Sequence, residues 1–317
     1  MKPPATSSVR LILLAFVLIP TALSCGGDTG STDEAAAPPA VPGPYKRIRS
    51  NASAVQICVV NTSGAVACLG HGNNGQLGNG TKSDAGTLQA VSGLSSGVTD
   101  VAVGGYHGCA ILSDAAVKCW GYNQYGALGD GTTTLSTVPV SVPGLTSITQ
   151  VVVGEYHSCA LTSAGAVSCW GSNSYGQVGN NSSTAANVPQ AVSGLSSGVK
   201  SLAASTNVTC ALLTNGSVRC WGALGSLSWP GGSNTARTPL EVANTSTAAS
   251  QITAGAEHLC LITGAGGAKC MGGNGFGQLG TGNDSASTTF ADCSGLTSGV
   301  KGIVATVFST CARTSAG

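Results

Sequence analysis

One phrase returns through this chain: a cysteine, nine residues, then a second cysteine, as in CALTSAGAVSCWG at 159–171. The pairs are Cys58 with Cys68, Cys109 with Cys119, Cys159 with Cys169, Cys210 with Cys220 and Cys260 with Cys270. Successive first cysteines are 51, 50, 51 and 50 positions apart by subtraction. Cys311 falls 51 positions after Cys260 and opens a further copy. A fixed period of this length restricts the fold to a propeller, a solenoid or an array of like modules.

The repeating unit narrows the choice. In the second copy VTDVAVGGY (98–106) alternates apolar and polar residues, as a half-buried strand does. CAILS and VKCWG then flank Asp114-Ala115-Ala116, and the third copy has Ser163-Ala164-Gly165 at that place. The fourth has Thr214-Asn215-Gly216, and Asn-Gly is a strong signal for a tight hairpin. A last run, VPVSV (138–142), ends at Pro143-Gly144. Four short strands per copy without a helical period predict an all-β propeller of four-stranded blades.

The hairpin explains the cysteines. A turn centred near residue 164 sets Cys159 and Cys169 opposite each other on antiparallel strands, within disulfide reach. Each pair is therefore expected to cross-link one hairpin, stabilising it by about 2–3 kcal/mol through loop closure. Zinc ligands follow a C-x₂₋₄-C spacing, which nine intervening residues do not meet.

The N-terminus bears on where such bonds form. Lys2 and Arg10 give a positive stretch ahead of LILLAFVLI (11–19), an apolar run too short to span a bilayer, which predicts a cleaved signal peptide over residues 1–24. Ala22-Leu23-Ser24-Cys25 resembles the lipobox of bacterial lipoproteins. That resemblance implies cleavage before Cys25, lipid on its sulfur and, with Gly26 next, an outer-membrane destination in a cell that has one. Residues 25–47, rich in Gly, Pro and Ala, read as a flexible tether, and 48–317 as the propeller. Export, to the periplasm or the cell surface, supplies the oxidising compartment that disulfides require.

Charged residues make up only 8% of the chain and the net charge is +1, so no basic footprint for nucleic acid exists. His107, His157 and His258 recur at one position per blade and read as structural residues, not a metal ring. GNNGQLGNG (72–80) has the glycines of a phosphate loop without its Gly-Lys-Ser/Thr ending, so it reads as tight turns. Cys293 aligns with Val91, Val142 and Val192 and reads as a small buried hydrophobe. Trp120, Trp170 and Trp221 follow the second cysteines and read as packing residues.

These copies resemble the repeat of the regulator of chromosome condensation, the RCC1 repeat: Gly-x-x-His-x-x-Ala-Leu, then Trp-Gly-x-Asn-x-x-Gly-Gln-Leu-Gly. Here the third copy runs Gly154-Glu155-Tyr156-His157-Ser158-Cys159-Ala160-Leu161, then Trp170-Gly171-Ser172-Asn173-Ser174-Tyr175-Gly176-Gln177-Val178-Gly179. The second carries Gly104, His107, Trp120, Asn123, Gly126 and Leu128. The fifth keeps Gly255, His258, Asn274 and Gln278 but has Met271 for the tryptophan, and the first has Leu69 there and Gln56 for the histidine. The fourth abandons the Asn-x-x-Gly-Gln-Leu-Gly loop for ALGSLSWPGGSNT (223–235). The family usually builds seven blades, so five full copies and part of a sixth imply a C-terminally incomplete propeller.

No Ser/His/Asp arrangement, carboxylate pair or cofactor motif stands out, so no enzymatic activity, cofactor, metal or small-molecule substrate is expected. The reading is a non-enzymatic scaffold for a protein partner, tethered to the membrane by lipid alone. Its expected contacts are Tyr106, Glu155, Tyr156, Glu257 and, on the irregular fourth loop, Trp229. An alternative is an inhibitor of an extracellular or periplasmic enzyme, since the repeats are also similar to those of the exported β-lactamase inhibitory protein II type. Guanine-nucleotide exchange and glycan chemistry rank below both.

Overall fold

The computed structural model describes residues 43–50, 54–224, 234–244 and 249–316. Strands follow in chain order and group into sheets of the same antiparallel order. Blade 1 is β1 (Tyr45–Arg49), β2 (Gln56–Asn61), β3 (Val66–Gly70) and β4 (Ala85–Ala90); blade 2 is β5 (Val98–Val103), β6 (His107–Leu112), β7 (Val117–Gly121) and β8 (Ser136–Ser141). Blade 3 is β9 (Ile148–Val153), β10 (His157–Thr162), β11 (Val167–Gly171) and β12 (Ala186–Ala191). Blade 4 is β13 (Val199–Ala204), β14 (Val208–Leu213), β15 (Ser217–Gly222) and β16 (Ala236–Asn244), and blade 5 is β17 (Gln251–Ala254), β18 (His258–Ile262), β19 (Ala268–Gly272) and β20 (Ser287–Asp292). A two-stranded sheet, β21 (Val300–Ala305) and β22 (Thr310–Thr314), follows as the start of blade 6. No helix among the described residues is long and apolar enough to cross a membrane.

The first blade begins earlier than the expected boundary at residue 48. Tyr-Lys-Arg-Ile-Arg pairs with β2 as a strand, although its first three residues fall within the expected Gly/Pro/Ala-rich tether. Its charges are what dock it: Lys46 Nζ donates to Val98 O (3.1 Å), Arg47 Nε to Thr99 O (3.2 Å), and Arg49 meets Asp100 at 2.9 Å.

Within each blade the middle hairpin holds its two cysteines directly opposite one another. Cys58 is bonded to Cys68, Cys109 to Cys119, Cys159 to Cys169, Cys210 to Cys220 and Cys260 to Cys270. The bridged Cα atoms lie 4.0–4.1 Å apart, drawn in from the ~4.5 Å of an ordinary facing pair. In blade 3 the turn closes with Gly165 N donating to Thr162 O at 3.0 Å and Thr162 N to Ala166 O at 2.9 Å. Gly165 takes a φ of 81°, the left-handed position of a three-residue hairpin loop. The Asn-Gly pair of blade 4 follows the same scheme, with Gly216 alone taking the positive φ, 86°. Blade 2 has no glycine there, and Ala115 adopts 63° instead.

First strands face a common axis. They line a central cavity of about 280 Å³, into which blades 1 to 6 each contribute residues. Side chains tie neighbouring first strands together: Gln150 accepts from Leu202 N (2.8 Å) and donates to Leu202 O (2.9 Å), and Gln251 donates to Ile303 O (2.8 Å). The larger apolar clusters lie between blades, and a small one, Val59, Ala65 and Ala67, stays within blade 1. One cluster joins Cys58, Val66, Cys68 and Leu77 of blade 1 to Val101 and Trp120 of blade 2. The next repeats this between blades 2 and 3, where Cys109 and Cys119 pack around Trp170.

Candidate protein-binding face

Connections between first and second strands and between third and fourth strands emerge at the same end of every blade. The repeat motifs supply both, and each motif residue answers to a neighbour in space. Gly154 and Gly255 are glycine because the ring of the histidine three residues later lies on them: an added Cβ would stand 2.2 Å from His157 Cε1 and 2.1 Å from His258 Cε1. Asn123, Asn173 and Asn274 are buried and hold the wide loop, accepting from the amides of Leu128, Val178 and Leu279 at 2.9 Å.

The histidines reach across to the next blade. His107 Nε2 lies 2.7 Å from Ser158 Oγ, His157 Nε2 2.8 Å from Thr209 Oγ1, and His258 Nε2 2.8 Å from Thr310 Oγ1. Ser158 also donates to Ala127 O (3.0 Å), closing a buried chain between blades 2 and 3. Burial pushes the ring of His107 down to about 3, with His157 adding to it, and burial brings His157 and His258 down to about 4. These are neutral seam residues. The tryptophans do the same work: Trp120, Trp170 and Trp221 donate Nε1 to the carbonyls of Gln76, Ala127 and Gln177 on the preceding blade, at 2.8–2.9 Å.

On this framework sits an aromatic patch. Tyr106 and Tyr156 stack with ring centroids 5.1 Å apart, Tyr122 approaches Tyr156 at 5.4 Å, and Tyr125 meets Tyr156 edge-on at 5.5 Å. Tyr156 and Tyr106 come from equivalent loops of adjacent blades, while Tyr122 and Tyr125 come from the wide loop of blade 2. The Tyr122 hydroxyl donates to Gln124 Oε1. Burial pushes the phenols of Tyr156 and Tyr122 above the usual tyrosine range, with the Tyr106 hydroxyl adding at Tyr156 and Tyr125 at Tyr122. Glu155 is raised by burial too, opposed by a hydrogen bond from Tyr156. Further round the same end, Tyr175 and Phe276 are exposed, and Phe276 lies 4.8 Å from Phe308.

Of the expected contacts, Tyr106, Glu155 and Tyr156 come together in this patch. Glu257 occupies the equivalent loop of blade 5, exposed, its carbonyl accepting from Gly273 N at 2.7 Å. Trp229 and the lipidation candidate Cys25 lie outside the described residues. Tyr122, Tyr125, Phe276 and Phe308 were missed by motif reading, because it followed the repeated positions and passed over the variable ones. A signal existed: the residue before the loop glycine is aromatic in Tyr125, Tyr175 and Phe276. No group of three or more His, Cys, Asp or Glu among the described residues forms a metal site.

Sequential four-stranded blades, locked to one another by side chains and presenting loops at one end, define a β-propeller. Residues 63–111, 116–161 and 164–212 match the regulator of chromosome condensation (RCC1) repeat, and 98–127 and 148–177 match a second model of that repeat. Residues 63–212 therefore carry RCC1 repeats. The chain is similar to solved structures of human WBSCR16 (TM-score 0.73, 21% identity, 82% of this chain and 70% of that one). Prp20p from Saccharomyces cerevisiae gives a TM-score of 0.72 at 18% identity over 84% of this chain and 68% of that one. In sequence it is 38% identical over 84 residues to the human E3 ubiquitin-protein ligase HERC2, a stretch that spans 26% of this chain and 2% of HERC2.

Proposed function

We propose that this propeller is a non-enzymatic scaffold, exported and lipid-anchored through Cys25, that binds a protein partner with its tyrosine-bearing end. The observation that carries this reading is the four-tyrosine cluster, built from two blades on loops that the seams hold rigid. Aromatic side chains already held by a frame bind with little loss of conformational freedom, and tyrosine adds a hydroxyl rim. The loops of this end carry Asp84, Asp130, Glu155, Glu257 and Asp284 against Lys82 among described residues. Acids beside electron-rich ring faces suit a partner that inserts a lysine or arginine. Anchoring is supported by the signal-like leader, the Ser24-Cys25 junction and five disulfides, which belong to an oxidising compartment.

Quantitative affinity capture from an envelope fraction, with wild type beside Tyr125→Ala/Tyr156→Ala and an Asp114→Ala control at the opposite end, tests the face. The tyrosine variant is expected to lose at least tenfold of the captured partner and the control none. Equal loss in both, or none in either, overturns the assignment. Cys25→Ser is expected to move the protein from the membrane to the soluble fraction.

A further inference from the structure

The repeated bridge of blade 5 has a neighbour that the other bridges lack. Cys293 N donates to Ala268 O at 3.0 Å, the same bond that Val91, Val142 and Val192 make to Val66, Val117 and Val167 at 2.9–3.0 Å. The position is therefore equivalent in these four blades, and valine fills it elsewhere. Here it holds a free thiol whose Sγ lies 3.4 Å from Sγ of Cys270, itself bonded to Cys260. Cys293 also lines a hollow of about 110 Å³ with Gly280, Ile303 and Thr310. At the equivalent glycines Gly78, Gly129 and Gly179 an indole from the next blade takes up that space, at 2.6–2.9 Å from a built Cβ. At Gly280 the nearest atom is Cys293 Cβ itself, 3.8 Å away.

We infer that blade 5 is a thiol–disulfide exchange site in which Cys293 attacks Cys270. The Cys293 thiolate forms the new bond to Cys270 Sγ; the Cys260–Cys270 bond breaks, and its electron pair leaves on Cys260 Sγ. The proton given up by Cys293 ends on Cys260. One disulfide and one thiol exist before and after, so no oxidant or reductant enters. Burial holds the Cys293 thiol above its ordinary range, with Asp292 adding to this and Lys269 opposing it. Exchange accordingly runs on the minutes-to-hours scale of uncatalysed rearrangement. The product carries its reactive sulfur on the central hairpin, at Cys260, instead of at the edge of the blade.

The test labels the native, unreduced full chain with N-ethylmaleimide over hours, quenches in acid and maps bridged and labelled peptides by mass spectrometry. The expected result is a Cys270–Cys293 bridge together with label on Cys260, at least fivefold above Cys293→Val. Cys159 in the same digest, whose bridge faces Val192, serves as an internal control for unfolding and carries no label. Label confined to Cys293 and Cys311 with the Cys260–Cys270 bridge intact, or label on Cys159 equal to that on Cys260, overturns the inference. As a second measurement, Cys260→Ser given oxidised glutathione is expected to form the Cys270–Cys293 bridge, with near-ultraviolet circular dichroism unchanged. Failure of that bridge in the folded variant also overturns it.

Discussion

The seam between blades 3 and 4 and the seam between blades 4 and 5 are built from opposite chemistry. At the first, His157 meets the Thr209 hydroxyl and Trp221 donates to Gln177 O on the preceding wide loop. At the second, the histidine position is Val208 and the hydroxyl position is Leu259, and both join Met271, Leu224 and the Cys210–Cys220 bridge in one apolar cluster. Met271 stands where a tryptophan is usual, and blade 4 has abandoned the loop whose carbonyl such a tryptophan would need. Taken within its own repeat, each of these residues is a lapse. Taken across the seam they form a matched set. The unit that must stay consistent is the junction, half of it lying about one period away in the chain, because an unpartnered donor buried there costs ~1–3 kcal/mol.

The largest expected effect comes from removing the big side chain on either side of this contrast. Trp221→Ala in the polar seam between blades 3 and 4 is expected to cost about 3–5 kcal/mol, and Met271→Ala in the apolar seam about 2–3 kcal/mol. Denaturant midpoints measure both, and equal losses would break the comparison. Next comes acid. Below the ordinary histidine value of 6.5 the unfolded chain binds protons that the folded chain refuses until about 3 at His107 and about 4 at His157 and His258. Stability therefore falls as the pH drops through that window and is regained above it. Each histidine contributes on the order of 1.4 kcal/mol per unit of pH. Transplanting the apolar seam, as His157→Val/Thr209→Leu, is expected to flatten the slope, as read from unfolding at pH 7 and pH 4.5.

A smaller effect sharpens the point in the other direction. Val208→His alone buries a donor against Leu259 and is expected to lose ~1–3 kcal/mol, most of it recovered in Val208→His/Leu259→Thr. No recovery in the double variant would show that the residues act independently. Smallest is the turn of blade 2, where Ala115 adopts the left-handed φ that Gly165 takes freely in blade 3. Ala115→Gly is expected to stabilise by about 0.5–1 kcal/mol, measured by the thermal midpoint.

Hairpins were legible because their cause is local: alternation over a few residues, a glycine at the turn, and cysteines placed symmetrically about it. Asn215-Gly216 marked the hairpin but not its turn type, since a three-residue loop and a two-residue turn share that dipeptide. The candidate face was legible at Tyr106, Glu155 and Tyr156, which ride on a repeated motif. It was not legible at Tyr122 and Tyr125, whose closeness to Tyr156 depends on how blade 2 leans on blade 3. Cys293 shows the same limit. Burial was readable from its alignment with valines, while its approach to Cys270 was not.

By itself the chain determined what one blade is: strand lengths, order, the cross-linked hairpin and the return of that unit at a fixed period. These follow from interactions among residues of the same repeat, paired no more than 27 positions apart. Only the assembled tertiary structure decided which residues are partners. Seam pairs, the tyrosine cluster and the sulfur contact of blade 5 join groups on strands whose separation is set by packing, and packing is not written in any single repeat.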